Sequence, residues 1–160
     1  MTNLCRPDEV FWCNGSKTER KALTEEAVRR GELIKLNQKK LPGCYYHRSH
    51  PNDVARVEQS TFICTVDQEE AGPTNNWMAP KEMYQKLRGY AAGAMRGRTM
   101  YVVPYLMGPP GSPLTKVGLE VTDSIYVALS MGIMTRMGDV AFEQLGQRVS
   151  TGKCGEYRQG

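Results

Sequence analysis

No apolar run in this 160-residue sequence reaches the roughly 18 residues that a membrane-crossing helix requires, so no membrane partner is expected. The N-terminus, Met1-Thr2-Asn3-Leu4-Cys5, has neither an apolar signal core nor the composition of a transit peptide. Histidine is scarce, with only His47 and His50 present. They flank Arg48 closely, but no cysteine, aspartate or glutamate spacing completes a standard metal-ligand set around them. The cysteines, Cys5, Cys13, Cys44, Cys64 and Cys154, form no Cys-x-x-Cys pair. An odd count without a secretory signal points to reduced thiols and a cytoplasmic setting. There is no Gly-x-x-x-x-Gly-Lys-[Ser/Thr], so the chain lacks a phosphate-binding loop of that type. No Gly-x-Ser-x-Gly elbow turns Ser112 into a nucleophile. Internal repeats and low-complexity runs are also missing.

What is present fits an ordinary folded domain. Forty per cent of residues are hydrophobic and 24% are charged, which argues against wholesale disorder. The length suits one domain with a real core, with room for an irregular arm. Net charge is +4 and the isoelectric point about 8.8. That balance suits a small anionic ligand. It falls short of a nucleic-acid footprint, because the lysines and arginines are spread rather than clustered with aromatics.

Gly97 to Pro113 organises the chain. Thr99 to Val103 is β-branched, aromatic and apolar, and reads as a buried strand. Pro104 cannot donate to a sheet ladder, so the strand is expected to end, or to lie at an edge, there. Gly108-Pro109-Pro110-Gly111-Ser112-Pro113 then forces a rigid turn. Such a loop either presents backbone groups to a ligand or makes a tight connection.

Elsewhere the pattern predicts a mixed α+β fold, a mixed sheet flanked by helices. Asp8 to Cys13 reads as a short strand, closed by Asn14-Gly15. Lys17 to Gln38 reads as helical, with Thr24 capping a second segment and Gly31 weakening it. Cys44 to His50 is a short aromatic strand or loop. Asp53 can cap a short turn over Val54 to Val57, and Gln59 to Val66 reads as a central strand. The acidic stretch from Asp67 to Asn76 is a loop. A helix starts at Pro80 and runs to about Ala91, with Met83, Leu87 and Tyr90 facing inward. Lys116 to Thr122 alternates as a strand. A helix from about Ser124 to Arg136 buries Val127, Ala128, Met131 and Met134. Asp139 caps a shorter helix to about Leu145, and Gln147 to Gly160 reads as a strand start and polar tail.

Arginines are the best candidate ligand groups. Arg56 precedes the predicted strand at Gln59. Its guanidinium either clamps a carboxylate or phosphate bidentately or pairs with Glu58 or Asp53 on the surface. Arg96 and Arg98 flank Gly97, and either bind an anion, pair with carboxylates or cap a helix end. Met131, Met134 and Met137 recur at helical spacing and suit core filling.

Three stretches together resemble the N-terminal domain of the GTP-dependent phosphoenolpyruvate carboxykinases. They are Asp53-Val54-Ala55-Arg56-Val57-Glu58; Gly93 to Pro104, continuing through Met107-Gly108-Pro109 and Gly111-Ser112-Pro113; and Gly118 to Ser124, with Tyr126-Val127, Ser130-Met131 and Ile133 to Gly138. Trp77-Met78, Leu4-Cys5 and Cys13 to Ser16 add to it, so the resemblance covers nearly the whole chain.

The resemblance implies an enzyme family that interconverts oxaloacetate plus GTP with phosphoenolpyruvate, GDP and carbon dioxide in gluconeogenesis, with manganese or magnesium at the centre. It implies that Arg56 binds the substrate carboxylate and that Glu58 lies near a mobile lid. The family's phosphate-binding loop, reactive cysteine, metal-binding residues and guanine pocket have no counterpart here. None of the cysteines, nor His47 or His50, matches those motifs. Residues 1–160 are therefore expected to form one partial, substrate-binding domain, without the nucleotide- and metal-binding domain. The chain is then either a piece of such an enzyme or a naturally short relative. Phosphoryl transfer needs metal, phosphate cradle and charges together, so the chain alone is expected to be inactive. The alternative is a stand-alone module that binds dicarboxylates or pairs with a partner.

Overall fold

The computed structural model describes residues 1–51 and 57–150. Its centre is the strand β6, Thr99–Met107, in a four-stranded mixed sheet. β1, Glu9–Trp12, runs parallel to its first half, from Glu9 opposite Thr99 to Trp12 opposite Val102. β7, Lys116–Thr122, returns antiparallel along its other side, from Tyr101 opposite Thr122 to Met107 opposite Lys116. β8, Arg136–Met137, pairs antiparallel with Tyr105 and Leu106, on the far half of β6.

The strand therefore does not stop at Pro104, and Pro104 is fully buried at its middle. The Val102 carbonyl accepts from Cys13 at 2.9 Å and the Pro104 carbonyl accepts from Gly138 at 3.0 Å. In an extended chain a residue's N–H and C=O point to the same side. The N–H that Pro104 lacks would thus face the interval between the end of β1 and the start of β8. No ladder bond is needed there, so a proline is tolerated in a central strand.

β6 is buried on both faces, which is why its sequence is apolar without alternation. Tyr101 and Val103 face one core, made with Leu23 and Ala27 of α2, Lys17–Arg29, and Ile125, Ala128 and Met131 of α4, Ile125–Met134. Met100 and Val102 face a smaller core with Cys5 of α1, Thr2–Cys5, flanked by Ala91 and Met95. Each fully buried aliphatic side chain of this kind contributes about 1.5–3 kcal/mol. α5, Asp139–Ser150, lies against the sheet with Phe142 touching Trp12, ring centroids 5.5 Å apart.

α2 begins with a reciprocal cap. Ser16 Oγ accepts from the Glu19 N–H at 3.1 Å, while the Glu19 carboxylate accepts from Asn14 and Gly15 N–H at 2.8 and 2.9 Å. Thr24 caps nothing; it sits inside the helix and donates to the Arg20 carbonyl at 2.7 Å. The helix also ends sooner than its periodicity predicts. Gly31 adopts φ +77°, a left-handed turn, and the chain folds back so that Leu33 enters the core. Ile34–Lys35, β2, then pairs with Tyr45–Tyr46, β3.

Gln59 to Val66 is not a central strand. Glu58–Ser60 is a 3-10 turn, and only Phe62–Ile63, β4, is extended and paired, with Asn76–Trp77, β5, in a separate parallel pair. The acidic loop holds a second 3-10 turn, Gln68–Ala71. α3, Pro80–Ala91, has the predicted bounds but not the predicted burial. Leu87 and Tyr90 are exposed, because the helix packs chiefly by its end against α1. In α4, Met134 is exposed, and Ile125 takes the inward place instead. α5 extends past Leu145 through Gln147, where a strand start was expected. The residues from Thr151 onward lie outside the described ones.

Candidate functional site

Arg56, with the Asp53 cap and Val54-Ala55, lies outside the described residues. The described chain resumes at Val57. Glu58 is exposed and opens the 3-10 turn. Asn76, on β5, fastens that turn: its Nδ2 donates to the Glu58 carbonyl at 2.8 Å and the Thr61 carbonyl at 3.2 Å. Thr61 Oγ1 donates back to the Val57 carbonyl at 2.7 Å. Trp77 Nε1 donates to the Thr65 carbonyl at 3.1 Å, and Lys86 of α3 lies over the Phe62 ring at 5.4 Å. The segment from Val57 to Thr65 is thus tied to β5 and, through Phe62, to α3. Sequence reasoning missed Asn76. An asparagine in a polar loop carries no local sign that it will bridge to a turn 15 to 18 positions away.

The other candidate cations have structural roles. Arg98 makes an ion pair with Asp123 at 2.5 Å and also donates to the Ala94 carbonyl. Arg96 lies against Gly93, where a Cβ would come within 3.0 Å of its Nε. Asp8 completes the junction, accepting from the Gly97 N–H at 2.9 Å while its own N–H donates to the Arg98 carbonyl at 3.0 Å. These contacts hold the entry to β6.

The proline-rich loop from Gly108 to Thr115 is a fastened hairpin connection. Three of its residues are prolines without N–H groups. The Gly111 N–H donates to Gln144 and the Ser112 N–H to the Pro109 carbonyl, both at 3.3 Å. The Leu114 and Thr115 N–H groups donate to Ser112 at 3.3 and 3.2 Å. Arg136 Nη1 donates to the Gly108 carbonyl at 2.9 Å. These four loop N–H groups are consumed within the protein.

His47 Nδ1 lies 2.7 Å from the Glu32 carbonyl, so Nδ1 carries the proton, and the ring stacks on Tyr126 at 3.9 Å. Among the described residues, no three histidine, cysteine, aspartate or glutamate side chains converge in a way that could hold an ion. Burial, with Glu19 adding to it, pushes the Cys13 thiol up to about 12. It is a core group and not a nucleophile. No helix among the described residues is long and apolar enough to cross a membrane.

Comparison with known proteins gives these observations a family. The family model described as "Phosphoenolpyruvate carboxykinase N-terminal domain" matches residues 1–154. A protein of Anaeromyxobacter dehalogenans (strain 2CP-C) named "Phosphoenolpyruvate carboxykinase [GTP]" is 63% identical over 146 residues, covering 91% of this chain and 24% of that protein. Proteins of the same name are 50% identical in Neocallimastix frontalis, over 91% of this chain and 24% of that protein, and 50% identical in Chlamydia caviae, over 96% and 26%. The chain thus spans about a quarter of the length of these relatives.

Proposed function

This chain belongs to the phosphoenolpyruvate carboxykinase N-terminal domain family, and we propose that it is the substrate-binding part of a GTP-dependent phosphoenolpyruvate carboxykinase. The observation that carries the reading is the match at 63% identity across nine-tenths of the chain to a protein of that name. The reaction is oxaloacetate plus GTP giving phosphoenolpyruvate, GDP and carbon dioxide. It places the protein among the lyases of gluconeogenesis, in the cytoplasm.

Within it, Arg56 holds a carboxylate of oxaloacetate or phosphoenolpyruvate. The guanidinium fork presents two parallel N–H donors to two carboxylate oxygens, which fixes the substrate's orientation as well as its charge. Glu58, two residues on, supports the same edge and faces the lid. Residues 1–160 are one partial domain, and the remaining three-quarters of the enzyme supplies the nucleotide pocket and the manganese or magnesium ion. No step through that ion is assigned to side chains of this chain, because its described residues offer no fitting donor set. The enzyme reading is favoured over a stand-alone dicarboxylate-binding module by the names of the relatives.

The test is kinetic. In the full-length protein, Arg56→Lys keeps the charge and loses the fork. It should raise KM for oxaloacetate about tenfold to a hundredfold, the loss of about 1.5–3 kcal/mol expected of a charged hydrogen bond. KM for GTP should stay unchanged. An unchanged oxaloacetate KM would remove Arg56 from the site. GTP-dependent turnover by the 160-residue chain alone would overturn the division of labour.

A further inference from the structure

We propose that the cleft between α2, the β2–β3 hairpin and α4 binds a nucleotide, with the phosphates against α2 and β2 and the base against the aromatic wall. None of the residues concerned has a role in the carboxykinase reading, so the two stand independently. The cleft has a volume of about 870 Å³, within the range of small-molecule sites.

One wall is cationic. Lys17, Arg20 and Lys21 fall at helical spacing and line the cleft from a single face of α2, and Lys35 joins them from β2. Lys21 meets Glu25 at 4.0 Å in a largely exposed pair. Lys17, Arg20 and Lys35 have no carboxylate within 4 Å among the described residues. The contrast lies on the same helix. At the end of α2 away from these residues, Arg29 and Arg30 both close on Glu26 at 2.5 Å. The charge is neutralised there, whereas at the cleft the lining carboxylate Glu25 meets Lys21 alone and Lys17, Arg20 and Lys35 are left open.

The other wall is aromatic and solvent-facing. Tyr45, which pairs with Lys35 across the hairpin, and Tyr46 are 37% and 48% exposed. Tyr126 is 38% exposed and carries the His47 ring flat upon it, 3.9 Å away and 13° from parallel. The Glu32 carbonyl locks that imidazole in place at 2.7 Å. These rings lie outside both hydrophobic cores. Unneutralised cations alone would suit inorganic phosphate, and exposed rings alone would suit any flat molecule. The two together fit a ligand that carries both a planar ring and several negative charges, which is the chemistry of a nucleotide.

The experiment is photolabelling of the full-length protein with 8-azido-ADP, with the modified peptides mapped by mass spectrometry. Because the readout is positional, nucleotide bound elsewhere does not register. The proposal expects label on the peptides holding Tyr45 to His47 or Tyr126. ADP should compete it away, with adenosine and pyrophosphate each weaker. The exposed charge reversals Arg20→Glu and Lys35→Glu together should cut it at least about tenfold, with the circular dichroism spectrum unchanged. Absence of label from both peptides overturns the proposal. So does label that survives the charge reversals. Pyrophosphate competing as well as ADP also overturns it, because the ring would then contribute nothing.

Discussion

Single atoms decide the junction between Asn14-Gly15 and Met137-Gly138. Gly138 adopts φ +86°, and a Cβ there would lie 1.8 Å from the Asn14 carbonyl oxygen. The two backbones touch because Cys13 and Gly138 donate to neighbouring acceptors on the same edge of β6, the Val102 and Pro104 carbonyls. Gly138→Ala should therefore cost about 3 kcal/mol or more. Gly31, at φ +77° with nothing within 4 Å of a Cβ, is the control: Gly31→Ala should cost only about 1–2 kcal/mol of left-handed strain. Denaturant unfolding of both variants checks the contrast. Cys13 makes a second test. Its thiol, pushed up to about 12, stays protonated in the folded chain where an unfolded thiol ionises near pH 9. The unfolded state then holds fewer protons, so stability should be whole below about pH 9 and fall as pH rises towards 12. Iodoacetamide at pH 8 should modify exposed Cys44 and Cys64 before buried Cys5 and Cys13. Peptide mapping would show the order.

Elements follow local chemistry at their starts and tertiary context at their ends. Ser16 and Glu19 close α2 reciprocally, so Ser16→Ala should cost about 1 kcal/mol, or about 2–4 °C in Tm for a chain of this size. A calorimetric shift under half a degree would show the cap to be redundant. The same helix ends where Gly31 turns left-handed, although the apolar spacing continues through Leu33, Ile34 and Leu36. Spacing cannot distinguish a helix from a turn that folds a leucine back onto the same core. β6 is the reverse case. Its proline reads as a stop, but the missing donor faces a gap that only the arrangement of β1 and β8 creates.

The described molecule is apolar on more of its outside than its composition foretells. Leu114, Val66 and Ile133 are 84%, 76% and 72% exposed, and Tyr84, Leu87 and Tyr90 line one side of α3. Such surface should bind a hydrophobic dye. Leu87→Glu with Ile133→Glu should lower 8-anilinonaphthalene-1-sulfonate fluorescence while moving stability by less than about 0.5 kcal/mol each, since neither side chain is in a core. A large loss of stability would place these residues in a contact that the fold does not contain.

The sequence by itself determined the class of fold, the bounds of β7 and α3, the proline-rich turn before β7, and the family. Those features rest on local rules: apolar period, turn residues, cap residues and long uninterrupted motifs. Tertiary structure alone decided that Gln59 to Val66 yields one short strand in a separate pair, that α3 leaves its apolar side bare, and that Asn76 grips the Glu58 turn. It also decided that His47 lies on Tyr126 and faces a cationic helix. Each of these depends on which distant segment arrives as a neighbour. Burial and hydrogen bonding are properties of such pairs, and no single stretch of chain carries them.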